Sequence, residues 1–270
     1  MKAPYKLIAA AALLALAAAF AFKIHSQTGD KAINKQQIKQ ILELADIKNI
    51  NGFERQTDAL RLFVNANSIH KIDEEFDRLE GNRTAIDAAV IAHASRQTTE
   101  APHLECSTRT SLLNRLLVAA GYHTRQVIIQ SVNENLRSHT FLEVMNPVTH
   151  RWEVQDPDYS IYWRHKKTLE RVAFTDVVSD LDAHEPCGPE GCGWDIKGRE
   201  GHDRNRIREK SDIVTFIDRA GKQRYSLYAP GVDPEMLFEK DGRKATYCAL
   251  VAKNCRDGFY SAASNQISHP

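Results

Sequence analysis

The chain carries no excess of charge of either sign. Its 270 residues hold 36 Lys and Arg against 35 Asp and Glu. Lys2 and Lys6 are the only charges among the first 21 residues, which leaves 34 cations and 35 anions in the rest. Nucleic-acid affinity rests on many Lys/Arg contacts to phosphate, so this balance speaks against a nucleic-acid partner. The sequence also lacks internal repeats at solenoid or propeller period. It lacks a Cys-x-x-Cys pair: the closest cysteines, Cys187 and Cys192, lie five apart. That excludes a thioredoxin motif and weighs against zinc, whose cysteine ligands usually stand two to four apart. Zinc stays as the lesser alternative, with His184 and His202 as further ligands. What is present is ordinary: 42% hydrophobic and 26% charged residues, the composition of a folded globular protein rather than a disordered or fibrous one.

The N-terminus reads as an address. Lys2 and Lys6 precede an uncharged run from Leu7 to Phe22, and Lys23 follows it. The run is short of the about 20 residues that span a bilayer, and it fits the apolar part of a secretory signal. Ala19-Phe20-Ala21 resembles a cleavage site. The alternative is an uncleaved membrane anchor over residues 7–22. Either way the expectation is an exported chain in an oxidising, periplasmic or cell-envelope setting.

In such a compartment close cysteine pairs read as local disulfides. The pairs here are Cys187 with Cys192 and Cys248 with Cys255, which leaves Cys106 as the odd thiol.

The chain divides by pattern. Residues 1–22 form the signal or anchor, and 23–80 a helical segment in which Ile33, Ile38, Ile41 and Leu44 recur at helical spacing. Residues 81–180 form the next unit, the one in which the candidate chemistry below falls. Residues 83–95 and 111–121 predict helices, the second ending at Gly121, a stop signal. Strands are expected over 124–132, 139–145 and 150–159, with Asn146-Pro147 as a turn and Pro157 as a stop. Residues 181–212 are rich in Gly and charge and read as a long loop pinned by its disulfide. Residues 213–270 read as a β-rich extension, opening with a hairpin that turns at 219–221.

Chemistry concentrates in the core. Cys106 stands just before an amphipathic helix, where backbone N–H groups stabilise negative charge and favour the thiolate nucleophile. His139 opens a strand and Asp156 closes the next. If Met145 and His150 flank the turn, His139 and Asp156 face each other directly across the ladder, within imidazole-to-carboxylate reach. A one-residue slip would put them on opposite faces. In the resulting scheme Cys106 attacks a carbonyl carbon, His139 protonates the leaving group, and Asp156 fixes the tautomer of His139. Singly, each residue has an ordinary explanation: a core cysteine, an exposed histidine, a turn aspartate. The joint order carries the inference.

The stretches ECSTRTSLLNRLLVAAGYHTRQVIIQ and SHTFLEVMNPVTHRWEVQDPDY resemble the core of the transglutaminase-like superfamily over roughly residues 83–165. Cys106, Gly121, Arg125, His139, Trp152, Asp156 and Pro157 fall at the family's positions. The chain departs from the pattern at Leu104, where the family often has Gly. It departs again at Ser107, Thr108 and Arg109, where the family often has an acidic residue. The resemblance implies an α+β, papain-like fold with helices packed on an antiparallel sheet. It implies an exported amide hydrolase or acyltransferase working through an acyl-thioester on a protein or peptide substrate, with no metal and no cofactor required. The alternative is a catalytically silent envelope scaffold. Trp152 is expected in the core; Tyr159, Tyr162 and Trp163 divide between core and cleft. The basic run 204–210 reads as a solvated face.

Overall fold

The computed structural model describes residues 34–130 and 138–193, and the backbone of 213–218 and 223–228. The expected signal or anchor, the basic run 204–210, His202, and the pair Cys248 and Cys255 lie outside the described residues. No helix among the described residues is long and apolar enough to cross a membrane.

The fold is α+β, with helices packed on an antiparallel sheet. Helices α1 (34–44), α2 (Phe53–Ala66), α3 (Glu74–Leu79) and α4 (Arg83–Ala94) precede the central helix α5 (Cys106–Ala119). Strands β1 (Ile69–His70) and β2 (His103–Leu104) form a short parallel pair just before α5. Residues 53–80, which show helical spacing throughout, are therefore broken: β1 separates α2 from α3. The Asp73 carboxylate accepts from the N–H groups of Glu75 and Phe76, which caps α3 and starts a new helix there.

Helix α5 ends where its sequence says it should. Gly121 adopts φ +96°. Gly121 N–H donates to Val118 C=O, and Tyr122 N–H to Leu117 C=O. This doubly bonded helix end needs a left-handed residue, which glycine adopts without strain.

The main sheet contains β3 (Thr124–Gln130), β4 (Ser138–Met145), β5 (Trp152–Gln155), β9 (Ile213–Asp218) and β10 (Gln223–Tyr228), in the order β10-β9-β3-β4-β5, all antiparallel. A second sheet joins β6 (Tyr162–His165), β7 (His184–Gly188) and β8 (Gly191–Cys192). The expected loop 181–212 is thus strand at its start: His184–Gly188 pairs with Tyr162–His165. That segment has no apolar period because Pro, Gly and Glu share it, and backbone pairing rather than a buried face defines it.

Strand β4 is buried on both faces, which explains its nearly continuous apolar run. Leu142 and Val144 join Leu112, Leu113, Leu116 and Leu117 of α5, together with Ile41, Leu60 and Val64 of α1 and α2. Phe141 faces the other way, into a cluster with Val127, Ile129, Val154, Ile161, Trp163, Phe174 and Val177. Each such fully buried side chain is worth about 1.5–3 kcal/mol, so the two clusters clamp β4 from both sides. Helix α6 (Phe174–Ser179) supplies Phe174 and Val177.

The family-like residues Arg125 and Trp152 have a structural place in this sheet. Arg125 lies directly opposite Glu143 and pairs with its carboxylate, while its guanidinium sits 4.4 Å from the centroid of the Trp152 ring. Trp152 is accordingly half-buried under an arginine, not inside the core as the sequence suggests. Among the described residues, the fully buried tryptophan is Trp163.

Candidate active site

The site forms where three elements meet: the first turn of α5, the start of β4, and the turn from β5 to β6. Cys106 is the first residue of α5, half-exposed and with a free thiol. Its N–H has no partner within the helix, because the first turn of any α-helix leaves its N–H groups unpaired along the chain. Thr110, one turn on, donates its hydroxyl to Thr140 C=O and ties this end of α5 to β4.

His139 is the second residue of β4 and is buried, 3% exposed. Its Nε2 lies 2.7 Å from Asp156 Oδ2. The Cys106 side chain acts on the same imidazole and raises its basicity. With Nε2 committed to Asp156, the nitrogen that serves Cys106 is Nδ1. The ring also lies against Tyr159 and Phe141, at centroid distances of 4.9 and 5.7 Å.

The direct cross-strand pairing of His139 with Asp156 is not what places them together. The register is Met145 opposite Trp152, two residues from the supposed pairing with His150. Asn146 widens the turn: its Oδ1 accepts from Val148 and Thr149 N–H, and His150 takes a φ of +54°. A two-residue shift preserves the face, so His139 and Asp156 meet on a diagonal instead.

Asp156 sits just past β5 and bridges Ile161. Pro157 has no N–H, so the first backbone donors after Asp156 are those of Asp158 and Tyr159. Both donate to Asp156 Oδ1, at 2.8 and 3.3 Å. One carboxylate oxygen is thus fixed by the turn and the other is left for His139. Helix α2 braces this turn from below: Asn65 donates to Pro157 and Asp158 C=O, and Arg61 donates to Gln155 Oε1 and Ser160 Oγ.

Burial acts to lower the basicity of His139, but the Asp156 charge and hydrogen bond, with the Cys106 contact, outweigh it and push the imidazole up to about 10. The arrangement therefore favours an imidazolium between a carboxylate and a thiol. Chemically it offers a nucleophile, an acid/base and an orienting anion.

Several residues at this site carry no signal that sequence spacing exposes. Arg109, three residues after Cys106, is buried and donates to Asp158 Oδ1, Asp158 C=O and Ser68 C=O. His70 Nδ1 lies 2.7 Å from Asp158 Oδ1. Arg61 and Asn65 stand four apart on α2, a spacing that puts them on one face of the helix. His103 bonds Asp73 through Nδ1. His93 lies 3.0 Å from Asn67 Oδ1, and His184 Nδ1 donates to Asp180 C=O.

Away from the site, Cys187 and Cys192 are joined, their sulfurs 2.01 Å apart across β7 and β8. Glu185 lies close enough to share a cation with two free thiols at these positions. As the sulfurs are bonded to each other, that donor set is committed to the disulfide.

No protein-family profile and no curated protein sequence matches this chain. Among solved structures it is similar to a candidate cysteine protease from Cytophaga hutchinsonii, at 12% identity and a TM-score of 0.33, over 61% of this chain and 48% of that one. It is similar also to a Rad4–Rad23 structure bound to a 6-4 photoproduct UV lesion, at 12% identity and a TM-score of 0.39, over 93% of this chain and 58% of that one. A Rad4–Rad23 structure crosslinked to undamaged DNA matches at 11% identity and a TM-score of 0.35, over 76% and 45%. The chain spans about half the length of these solved chains. The Rad4–Rad23 structures overturn the exclusion of a nucleic-acid partner drawn from the charge balance. The physical reason is that a whole-chain total does not report how charge is distributed over one face, and phosphate binding depends on the latter.

Proposed function

We propose that this chain is an exported, cysteine-dependent enzyme of acyl transfer to and from amide carbonyls, with Cys106 as nucleophile, His139 as acid/base and Asp156 as the orienting carboxylate. The observation that carries the reading is His139, held between the Asp156 carboxylate at 2.7 Å and the Cys106 thiol. The likeness of residues 83–165 to the transglutaminase-like core supports it, and so does the half-exposed position of Cys106 at the start of α5.

The thiolate of Cys106 adds to the carbonyl carbon, and the oxyanion that forms meets the unpaired N–H at the head of α5. The imidazolium of His139 gives its Nδ1 proton to the leaving nitrogen as the C–N bond breaks. The acyl-thioester is then resolved by water, giving hydrolysis, or by an amine, giving transamidation. Asp156 keeps the Nε2 proton in place throughout, so that Nδ1 alone exchanges protons. The catalytic unit is assigned to residues 81–180, braced by α2. Export follows from the N-terminal run at residues 7–22.

The test is the rate of iodoacetamide labelling of Cys106 against pH, read by peptide mapping, in wild type and His139→Ala. An ordinary thiol labels slowly at pH 6. Fast labelling at pH 6 that is lost in His139→Ala is the expected result. Slow labelling in both proteins would remove the enzyme reading and leave a catalytically silent scaffold.

A further inference from the structure

A second carboxylate stands beside His139 that the chemistry above does not use. Asp158 is buried, its side chain 2% exposed. Its Oδ2 lies 4.0 Å from His139 Nδ1, the nitrogen that faces the nucleophile. Its Oδ1 accepts from Arg109 Nη1 at 3.0 Å and lies 2.7 Å from His70 Nδ1. Its own N–H donates to Asp156 Oδ1, so the two carboxylates are locked in one turn. Among the described residues, the charged and titratable groups around the ring are therefore Asp156, Asp158 and Tyr159 from the turn and Cys106 and Arg109 from α5, with His70 reaching it through Asp158.

The two nitrogens of His139 do not keep their partners equally through a reaction cycle. Nε2 faces Asp156 at every stage. On the reading above, Nδ1 faces the sulfur that attacks as thiolate, but acylation turns that sulfur into an uncharged thioester. At that stage Nδ1 must accept a proton from the incoming nucleophile, and its anionic partner has gone. A carboxylate at 4.0 Å on the same side favours the protonated ring when sulfur no longer can.

We propose that Asp158, held by Arg109 and His70, is a positioning residue for the second half-reaction, supporting the protonated His139 at Nδ1 while Cys106 carries the acyl group. This rests on the acyl-transfer reading above. In the step it serves, water gives one proton to Nδ1 and its oxygen to the acyl carbon. The C–S bond breaks and its electron pair returns to sulfur, which restores the thiolate beside the imidazolium. The acid departs with the second proton of the water.

The probe is p-nitrophenyl acetate, mixed rapidly with wild type, Asp158→Asn, Cys106→Ala, and the double variant Arg109→Gln/Asp158→Asn. The double variant leaves no unpaired cation inside the protein and so keeps the test open if Asp158→Asn alone does not fold. The burst reports acylation and the steady state reports deacylation. Base catalysis is worth about 10^2–10^4-fold, so weakening the base should slow the steady state roughly tenfold or more, with the burst rate far less affected. His70→Gln, at a half-exposed position, should shift the same partition in the same direction. A merely structural role would lower both phases together, and that result, or no change in either phase, would overturn the proposal while leaving the acyl-transfer reading intact. Absence of a Cys106-dependent burst in wild type would remove both.

Discussion

The substitution Asp156→Asn tests the site more sharply than deletion of any of its members, because the turn dictates how the new amide must sit. Asp156 Oδ1 accepts from the N–H groups of Asp158 and Tyr159. An amide NH2 cannot replace an oxygen that receives two N–H donors, so the carbonyl oxygen of the new side chain stays there. Its NH2 is then forced toward His139 Nε2, which lies 2.7 Å from the present Oδ2. A donor facing Nε2 requires a lone pair on that nitrogen, and the neutral ring then carries its proton on Nδ1. That tautomer cannot accept the Cys106 proton. The expected loss of turnover is about 10^4-fold, as for the wrong tautomer in a Ser-His-Asp triad, or about 5 kcal/mol of barrier. The assay is iodoacetamide labelling of Cys106 from pH 5 to 9, with a circular-dichroism melt to confirm folding. Labelling at pH 6 should fall to that of an ordinary thiol and rise only as the pH nears about 8.5. An unchanged labelling profile in a folded Asp156→Asn protein would refute both the tautomer argument and the place of Asp156 in the site.

Two further outcomes follow from groups outside the site. Burial pushes the Glu153 carboxyl up to about 7, against opposing contributions from Asn146 and Arg171. An acid raised in the folded state loses stability as pH climbs from its unfolded value through the folded one, so Glu153→Gln should be close to neutral at pH 4 and stabilise at pH 8 on the order of 3 kcal/mol, as read by urea midpoints; equal effects at both pH values would contradict this. Cys187 and Cys192 close a loop with a sequence separation of 5, and chain-entropy arithmetic gives such a loop about 2 kcal/mol. Non-reducing peptide mapping should recover Cys187 linked to Cys192, with Cys192→Ser lowering stability by that order; two free thiols in protein from an oxidising compartment would count against the link.

The local elements were legible where one short-range rule dominates. Helix α5 announces itself through its leucines at 112, 113, 116 and 117 and stops at Gly121, where the backbone needs φ +96°. Strands β3 and β4 follow from β-branched and apolar runs, and β9 and β10 from a hairpin pattern. Strands β1, β7 and β8 were not legible. They are two to five residues long and rest on backbone pairing with distant segments, as in Ile69 opposite His103 and Arg164 opposite Glu185. A two-residue strand has no periodicity to read.

Cys106, His139 and Asp156 could be picked out as candidates by sequence alone, because residue type, order and flanking pattern are local properties and one strand period fixes which side chains share a face. Their assembly was decided in three dimensions. The β4–β5 register differs from the simplest hairpin by two residues, since Asn146 and His150 shape a wider turn, and the His139–Asp156 contact survives only because that shift is even. The supporting shell was settled wholly by tertiary contact. Arg61 reaches Ser160 across 99 residues, Arg109 reaches Asp158 across 49, and His70 reaches the same carboxylate across 88. A sequence records which groups can ionise; which of them meet in a water-poor interior, and so bind protons differently from the free side chain, depends on the packing that brings the helices against the sheet.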